Sequence, residues 1–172
     1  MSDFKKFNHW AQKWMFKKGW KPQKFQVSTW KAVLNKQSGL VNAPTGSGKT
    51  LSLLPAILWP QIKSKKSVKG VICIWVTPLR SLSKQISISV ETFIEENNLD
   101  FTVGVRNGDT STSQRVKQNK RMPNILITTP ESLQLILCSK EWKKKVDSLQ
   151  AVVVDEWHEL MGSKRGVQVE LC

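Results

Sequence analysis

The chain has 172 residues, 40% hydrophobic and 23% charged, which fits one domain with a substantial core and excludes wholesale disorder or a fibrous repeat. No apolar run is long enough to cross a bilayer, and the start (MSDFKKFNHW) lacks the apolar block of a signal peptide, so a soluble, cytoplasmic protein without a membrane partner is expected. The outlier is charge: 27 Lys and Arg against 13 Asp and Glu give +14, a field that favours polyanions.

The excess is uneven. Residues 1–36 hold nine lysines (5, 6, 13, 17, 18, 21, 24, 31 and 36) against one acid, Asp3, together with Trp10, Trp14, Trp20 and Trp30. The first helix pattern runs Phe25–Lys36, and the apolar pair Leu40-Val41 after it reads as a strand. Lys49–Trp59 reads as a helix, with Pro55 a local objection. Apolar, β-branched runs follow at Val71–Val76, Phe101–Val105, Ile125–Ile127 and Ala151–Val154, with helix patterns at Ser81–Asn97 and Glu131–Ser139. Runs this short and this uniformly apolar suit strands buried on both faces of a parallel sheet. The expected class is α/β, a mainly parallel sheet flanked by helices, with ligands at the carboxyl edge of the strands. Residues 167–172 end on an apolar pattern without cap or tail, and read as cut from a longer chain. Three cysteines, far apart and without a CxxC, argue against a disulfide framework or zinc site.

The strongest motif is Ala43-Pro44-Thr45-Gly46-Ser47-Gly48-Lys49-Thr50, after the Leu40-Val41 run and before a helix pattern. Its glycines let backbone N–H groups face phosphate oxygens, and the helix N-terminus adds partial positive charge. Thr45, Gly46, Ser47, Gly48, Lys49 and Thr50 form the expected nucleotide cradle. Lys49 would reach the β and γ phosphates and the Thr50 hydroxyl would ligate Mg²⁺. Ala43 stands where the usual pattern opens with glycine, and a glycine-rich turn that binds nothing is the plain alternative. The second element, Asp155-Glu156-Trp157-His158, follows the Ala151–Val154 run, which puts two carboxylates at the sheet's carboxyl edge. Asp155 suits Mg²⁺ and Glu156 suits orienting and deprotonating a water; alone, both could be a helix-start charge preference. Lys49, Asp155 and Glu156 are thus the expected catalytic residues of nucleoside-triphosphate hydrolysis.

Four segments in order, PTGSGKT, Thr77-Pro78-Leu79-Arg80-Ser81-Leu82, Thr129-Pro130-Glu131-Ser132-Leu133 and DEWH, resemble motifs I, Ia, Ib and II of superfamily 2 helicases. Gly19-Trp20-Lys21-Pro22 with Phe25-Gln26, and DEWHEL with Lys164-Arg165-Gly166-Val167-Gln168, are similar to the large-helicase-related (Lhr) group, and within it to ligase-associated DEXH-box helicases. The resemblance spans essentially the whole chain. It implies a RecA-like P-loop NTPase fold, the first of two helicase core domains. Residues 1–36 would be a basic, tryptophan-rich segment with a Q-motif-like element, part of the same domain. Residues 37–172 would be the RecA-like ATP-binding domain, truncated after motif II. The implied activity is that of an ATP- and Mg²⁺-dependent, 3′-to-5′ DNA helicase or translocase linked to repair. Implied partners are single-stranded DNA or DNA/RNA hybrids, the second RecA-like domain of the full-length chain, and a DNA ligase and nuclease.

Residue by residue, the resemblance makes Gln26 the reader of the adenine edge and His158 the group that couples ATP state to nucleic acid. Either Trp20 or Phe16 stacks on the base, or Trp14 and Trp20 pack the helix against the core. Thr77, Pro78, Arg80, Gly108, Asp109, Thr129, Pro130 and Glu131 would hold the single strand. The physics agrees, since hydroxyls, backbone N–H groups at helix starts and an arginine hold phosphates without reading sequence. Each alone also reads as a loop residue or helix cap. Arg165 falls in what reads as a Gly-flanked loop. Two other classes compete: a small phosphate-loop kinase, which leaves TPLR, TTPES and DEWH unexplained in this order, and a nucleic-acid-binding module that has lost catalysis.

Overall fold

A computed structural model describes residues 2–44, 46–65, 67–139, 142 and 146–171. They group into two compact units, Met1–Lys65 and Lys66–Cys172, so the helix after the glycine-rich loop groups with the N-terminal segment.

The first unit is helical: α1 (Asp3–Lys17), α2 (Lys24–Leu34) and α3 (Lys49–Ser64). In α1 the buried residues are Phe7, Ala11, Trp14 and Met15, a stripe at helical spacing that faces the other two helices. Phe7 is the centre of an aromatic core, edge-on to Trp30 of α2 and Trp59 of α3 with ring centroids 5.5 and 5.4 Å away. Tilted and edge-on packing of this kind suits the ring quadrupoles. The Pro55 objection fails, because α3 continues through both Pro55 and Pro60. Each proline costs a helix about 3 kcal/mol, but α3 buries Leu54, Ile57, Leu58 and Trp59, at roughly 1.5–3 kcal/mol per large apolar side chain. The strand expected at Leu40-Val41 does not form. Residues 37–44 are irregular and Leu40 is exposed; two apolar residues between Gly39 and Asn42 give a ladder too few bonds to hold.

The second unit is a parallel sheet of β1 (Cys73–Val76), β2 (Val103–Arg106), β3 (Ile125–Thr128) and β4 (Ala151–Val154), in the order β2-β3-β1-β4. Its helices are α4 (Arg80–Glu96), α5 (Thr112–Lys120), α6 (Pro130–Leu137), α7 (Trp157–Leu160) and α8 (Lys164–Glu170). The inner strands β1 and β3 are buried throughout, as uniformly apolar parallel strands require. One core cluster joins Ile74, Val76 and Leu126 of the sheet to Leu133 and Ile136 of α6; alternation then turns Cys73 and Trp75 to the opposite face. Helix α5 buries nothing and carries no apolar stripe, so no period marks it in the sequence. It is set by a capping box in which the Gln114 N–H donates to Ser111 Oγ and the Ser111 N–H to Gln114 Oε1, both at 3.3 Å. Among the described residues no helix is long and apolar enough to cross a membrane.

Candidate functional site

The glycine-rich loop around Gly46 and Gly48 lies in the first unit. Gly46 and Gly48 have φ of +78° and +84°, a left-handed backbone that L side chains resist, and Gly48 is the N-cap of α3. A side chain on Gly48 would also press on Gln26, whose Nε2 lies 3.0 Å from the ideal Cβ position. The bare backbone therefore curls directly into a helix N-terminus, an arrangement that suits a phosphate group. Lys49 is the first residue of α3, and its ammonium donates to Ala43 O at 3.0 Å and Pro44 O at 3.5 Å. It thus sits over the loop, on acceptors that a phosphate oxygen can replace. Ser47 Oγ donates to Pro44 O at 2.6 Å. Thr45 lies outside the described residues; Thr50 is half-buried as the second residue of α3.

Gln26 is buried and ties α2 to this loop. Its Oε1 accepts from the Gln23 N–H at 2.9 Å, closing the start of α2, while its Nε2 donates to Gly48 O at 3.5 Å. Both ends of the carboxamide thus have protein partners. Phe16 and Trp20 are exposed; Trp20 packs edge-on against Trp14 at 6.3 Å with the Lys18 ammonium 4.9 Å from its ring centre.

In the second unit the sheet register assembles the remaining segments. Arg106, Thr128, Val76 and Val154 are paired across the four strands, so the turns after them leave from one edge. The Thr77 N–H donates to Thr128 O at 2.9 Å and the Asp155 N–H to Val76 O at 2.8 Å. The edge therefore carries Asn107 to Asp109, Thr129 to Glu131, Thr77 to Arg80, and Asp155-Glu156 side by side. Asp155 Oδ1 accepts from the Glu156 N–H at 3.0 Å. Glu156 is left-handed, φ +47° and ψ +48°, strain of a kind that persists where surrounding structure over-determines it and clusters at active sites. His158 stands at ion-pair distance from two carboxylates, 3.4 Å from Glu156 and 3.5 Å from Glu159.

Apart from half-buried Glu131, the single-strand candidates divide into two groups. Thr77, Pro78, Thr129 and Pro130 are buried, so their side chains shape the turns rather than face solvent. Thr129 Oγ1 is 3.3 Å from Ser132 Oγ, and Pro130 is the first residue of α6, where its missing N–H costs nothing. Arg80, Gly108 and Asp109 are exposed. The Arg80 guanidinium, at the start of α4, pairs with Asp109 at 2.6 Å and lies against Gly108, where a Cβ would collide with it. Arg115 supports the same turn by donating to Thr110 O at 2.9 Å and Asn107 O at 3.2 Å. Burial, and secondarily the charge of nearby Arg115, push the Arg106 guanidinium below its usual pKa.

Arg165 is not in a loop. It is the second residue of α8, whose Ser163 cap accepts from the Gly166 N–H at 3.2 Å. Its Nε donates to Glu131 Oε1 at 2.6 Å and its Nη1 to Pro78 O at 3.4 Å. Burial acts to raise the Glu131 carboxyl, but its own backbone N–H, the Thr129 hydroxyl and Arg165 together hold it below the ordinary value. The sequence signal for this helix was Ser163, a cap three residues before glycine.

The profile of the family described as DEAD/DEAH box helicase matches residues 23–172. The chain belongs to the DEAD/DEAH box helicase family. The ATP-dependent helicase Lhr-Core of Sulfolobus acidocaldarius is 40% identical over 136 residues, covering 74% of this chain and 16% of that protein. Among solved structures, Mycobacterium smegmatis helicase Lhr bound to ssDNA and AMP-PNP superposes with TM-score 0.75 at 34% identity, over 94% of this chain and 22% of that one. The DEAD-box helicase Mss116 bound to ssRNA and UDP-BeF gives TM-score 0.74 at 30% identity, over 86% and 30%. The α/β fold of this DEAD/DEAH box chain is thus RecA-like, and it spans less than a third of the length of each of these relatives.

Proposed function

We propose that this chain is the ATP-binding, first RecA-like domain of an ATP-dependent DNA helicase or translocase that couples ATP hydrolysis to movement along single strands. One observation carries the reading: the register of the parallel sheet gathers TPLR, the Gly108 turn, TTPE and DEWH on one edge. The similar helicase Lhr of Mycobacterium smegmatis is bound to ssDNA and AMP-PNP, which supports the choice of ligands. Residues 46–50 fit a nucleotide's phosphates because the loop offers bare backbone, a helix start and Lys49. When bound, ATP–Mg²⁺ supplies the phosphoryl group whose transfer releases the free energy for movement. Thr50 and Asp155 are the residues whose chemistry suits Mg²⁺, and Glu156 the one that orients and deprotonates water. Gln26 contributes by holding the loop's Gly48 and, in this reading, the adenine edge.

On the nucleic-acid side, Arg80 and the turns around Gly108 and Thr129 hold phosphates, with buried Thr77, Pro78 and Pro130 setting their shape. His158, between Glu156 and Glu159, couples the two ligands. A second RecA-like domain of a longer chain supplies the arginine that hydrolysis needs, worth ~10³–10⁵ in rate in phosphate-loop enzymes; this chain alone turns over slowly. The 3′-to-5′ direction, the link to DNA repair, action on DNA/RNA hybrids, and a DNA ligase and nuclease as partners rest on the motif resemblance. The test is titration of labelled oligonucleotides at rising salt: affinity should fall steeply and ignore base sequence. Salt-independent binding, or a strong preference for one sequence, contradicts the reading.

A further inference from the structure

Arg165 stands apart from the residues so far given roles. Its backbone is fixed to the acidic end of β4 by a short path. Glu156 caps α7, α7 ends at Leu160, and Gly166 of α8 packs so closely on the Leu160 carbonyl that no Cβ fits between them. From that anchored position the guanidinium reaches two turns that follow neighbouring strands. Nε bonds Glu131 at the start of α6, and Nη1 bonds the Pro78 carbonyl between β1 and α4. One turn further along α8, Gln168 Nε2 donates to Gln134 Oε1 of α6 at 3.1 Å, which keeps the two helices in register. Pro78 lies two residues before Arg80. A planar fork can serve two acceptors in fixed directions, which a lysine ammonium does less well.

We infer that Arg165 is a positioning residue for the nucleic-acid edge: it holds the Pro78 turn and the Glu131 turn in one geometry and touches no phosphate itself. The inference rests on the proposed function, since it gives that edge its ligand. The pair with Glu131 is half-exposed on both sides, and pairs so placed add little to stability. Its removal therefore changes the geometry of the edge and leaves the fold standing.

The experiment compares the wild-type chain with Arg165→Ala, Arg165→Lys and Arg80→Ala by oligonucleotide anisotropy over a range of salt. Arg165→Ala should weaken binding roughly five- to tenfold, within the range carried by residues without ligand contact, and leave the salt slope unchanged. Arg80→Ala, losing one phosphate contact, should reduce the slope by about 0.7. Arg165→Lys, which keeps Glu131 but not both acceptors, should recover part of the loss. A slope reduced in Arg165→Ala as in Arg80→Ala makes Arg165 a phosphate contact and overturns the inference, as does wild-type affinity in Arg165→Ala. A wild-type chain that binds no strand sinks the proposed function instead, and amide exchange then judges the inference alone. Exchange at residues 79–82 and 131–134 should quicken in Arg165→Ala while β1 stays protected; unchanged exchange there overturns it.

Discussion

Replacing Gly166 by alanine tests whether the close approach of α7 and α8 is real. In an exposed helix this change stabilises by about 1 kcal/mol, because glycine is the poorer helix former. Here the added Cβ would overlap the Leu160 carbonyl oxygen and stand 3.0 Å from its carbon. Both atoms are backbone, so neither can rotate away, and α8 must shift. Overpacking of this kind costs roughly 1–3 kcal/mol. The shift also pulls the Gly166 N–H off Ser163 Oγ, and losing such a cap adds about 1 kcal/mol. After the propensity gain, Gly166→Ala should destabilise by roughly 1–3 kcal/mol. Urea denaturation followed by circular dichroism reads the change as a lowered midpoint at constant slope. A midpoint equal to or above wild type refutes the packing argument.

Three further outcomes follow from single residues. Glu156→Gly should be more stable than Glu156→Ala by about 1 kcal/mol, because only glycine relieves the left-handed φ; equal midpoints would remove the strain. The Glu131 carboxyl is held low in the folded state, so its contribution is complete above the ordinary carboxyl range and lost as pH falls through the depressed value. Below about pH 4.5, the ordinary value for glutamate, stability should therefore decline less steeply in Glu131→Gln than in wild type. Burial pushes the Cys73 thiol up to about 12, whereas Cys138 is exposed. A thiol reagent at pH 8 should therefore label Cys138 in the folded chain and Cys73 only after unfolding, read by peptide mass mapping.

What the sequence made legible is what local chemistry encodes. The four apolar runs at 71–76, 101–105, 125–127 and 151–154 became β1 to β4 within a residue or two at each end; burial on both faces explains the inner β1 and β3, whereas the outer β2 and β4 are only half-buried for most of their length. Leu40-Val41 was misread because apolar character does not supply a neighbour to pair with. Helix α1 carried a stripe in Phe7, Ala11, Trp14 and Met15, which the lysines at 5, 6, 13 and 17 obscured. Helix α5 carried none. At the functional edge, the motifs named the turns but not the orientation within them. Thr77 and Thr129 are phosphate-binding in type and buried in fact, since a residue just past a central strand is still under its neighbours. The role of Arg165 went unread because its partners, Pro78 and Glu131, are distant in sequence and meet it only through the order β3-β1-β4 and the docking of α8 on α6.

The claim that the phosphate loop holds ATP meets its most direct test in calorimetric titration of the purified chain with AMP-PNP, with and without Mg²⁺. Binding should depend on Mg²⁺, be abolished by Lys49→Ala and stay largely intact in Glu156→Gln, because the first removes the cation over the loop and the second only the base. Binding in Lys49→Ala equal to wild type, or no binding by the wild-type chain, would contradict it.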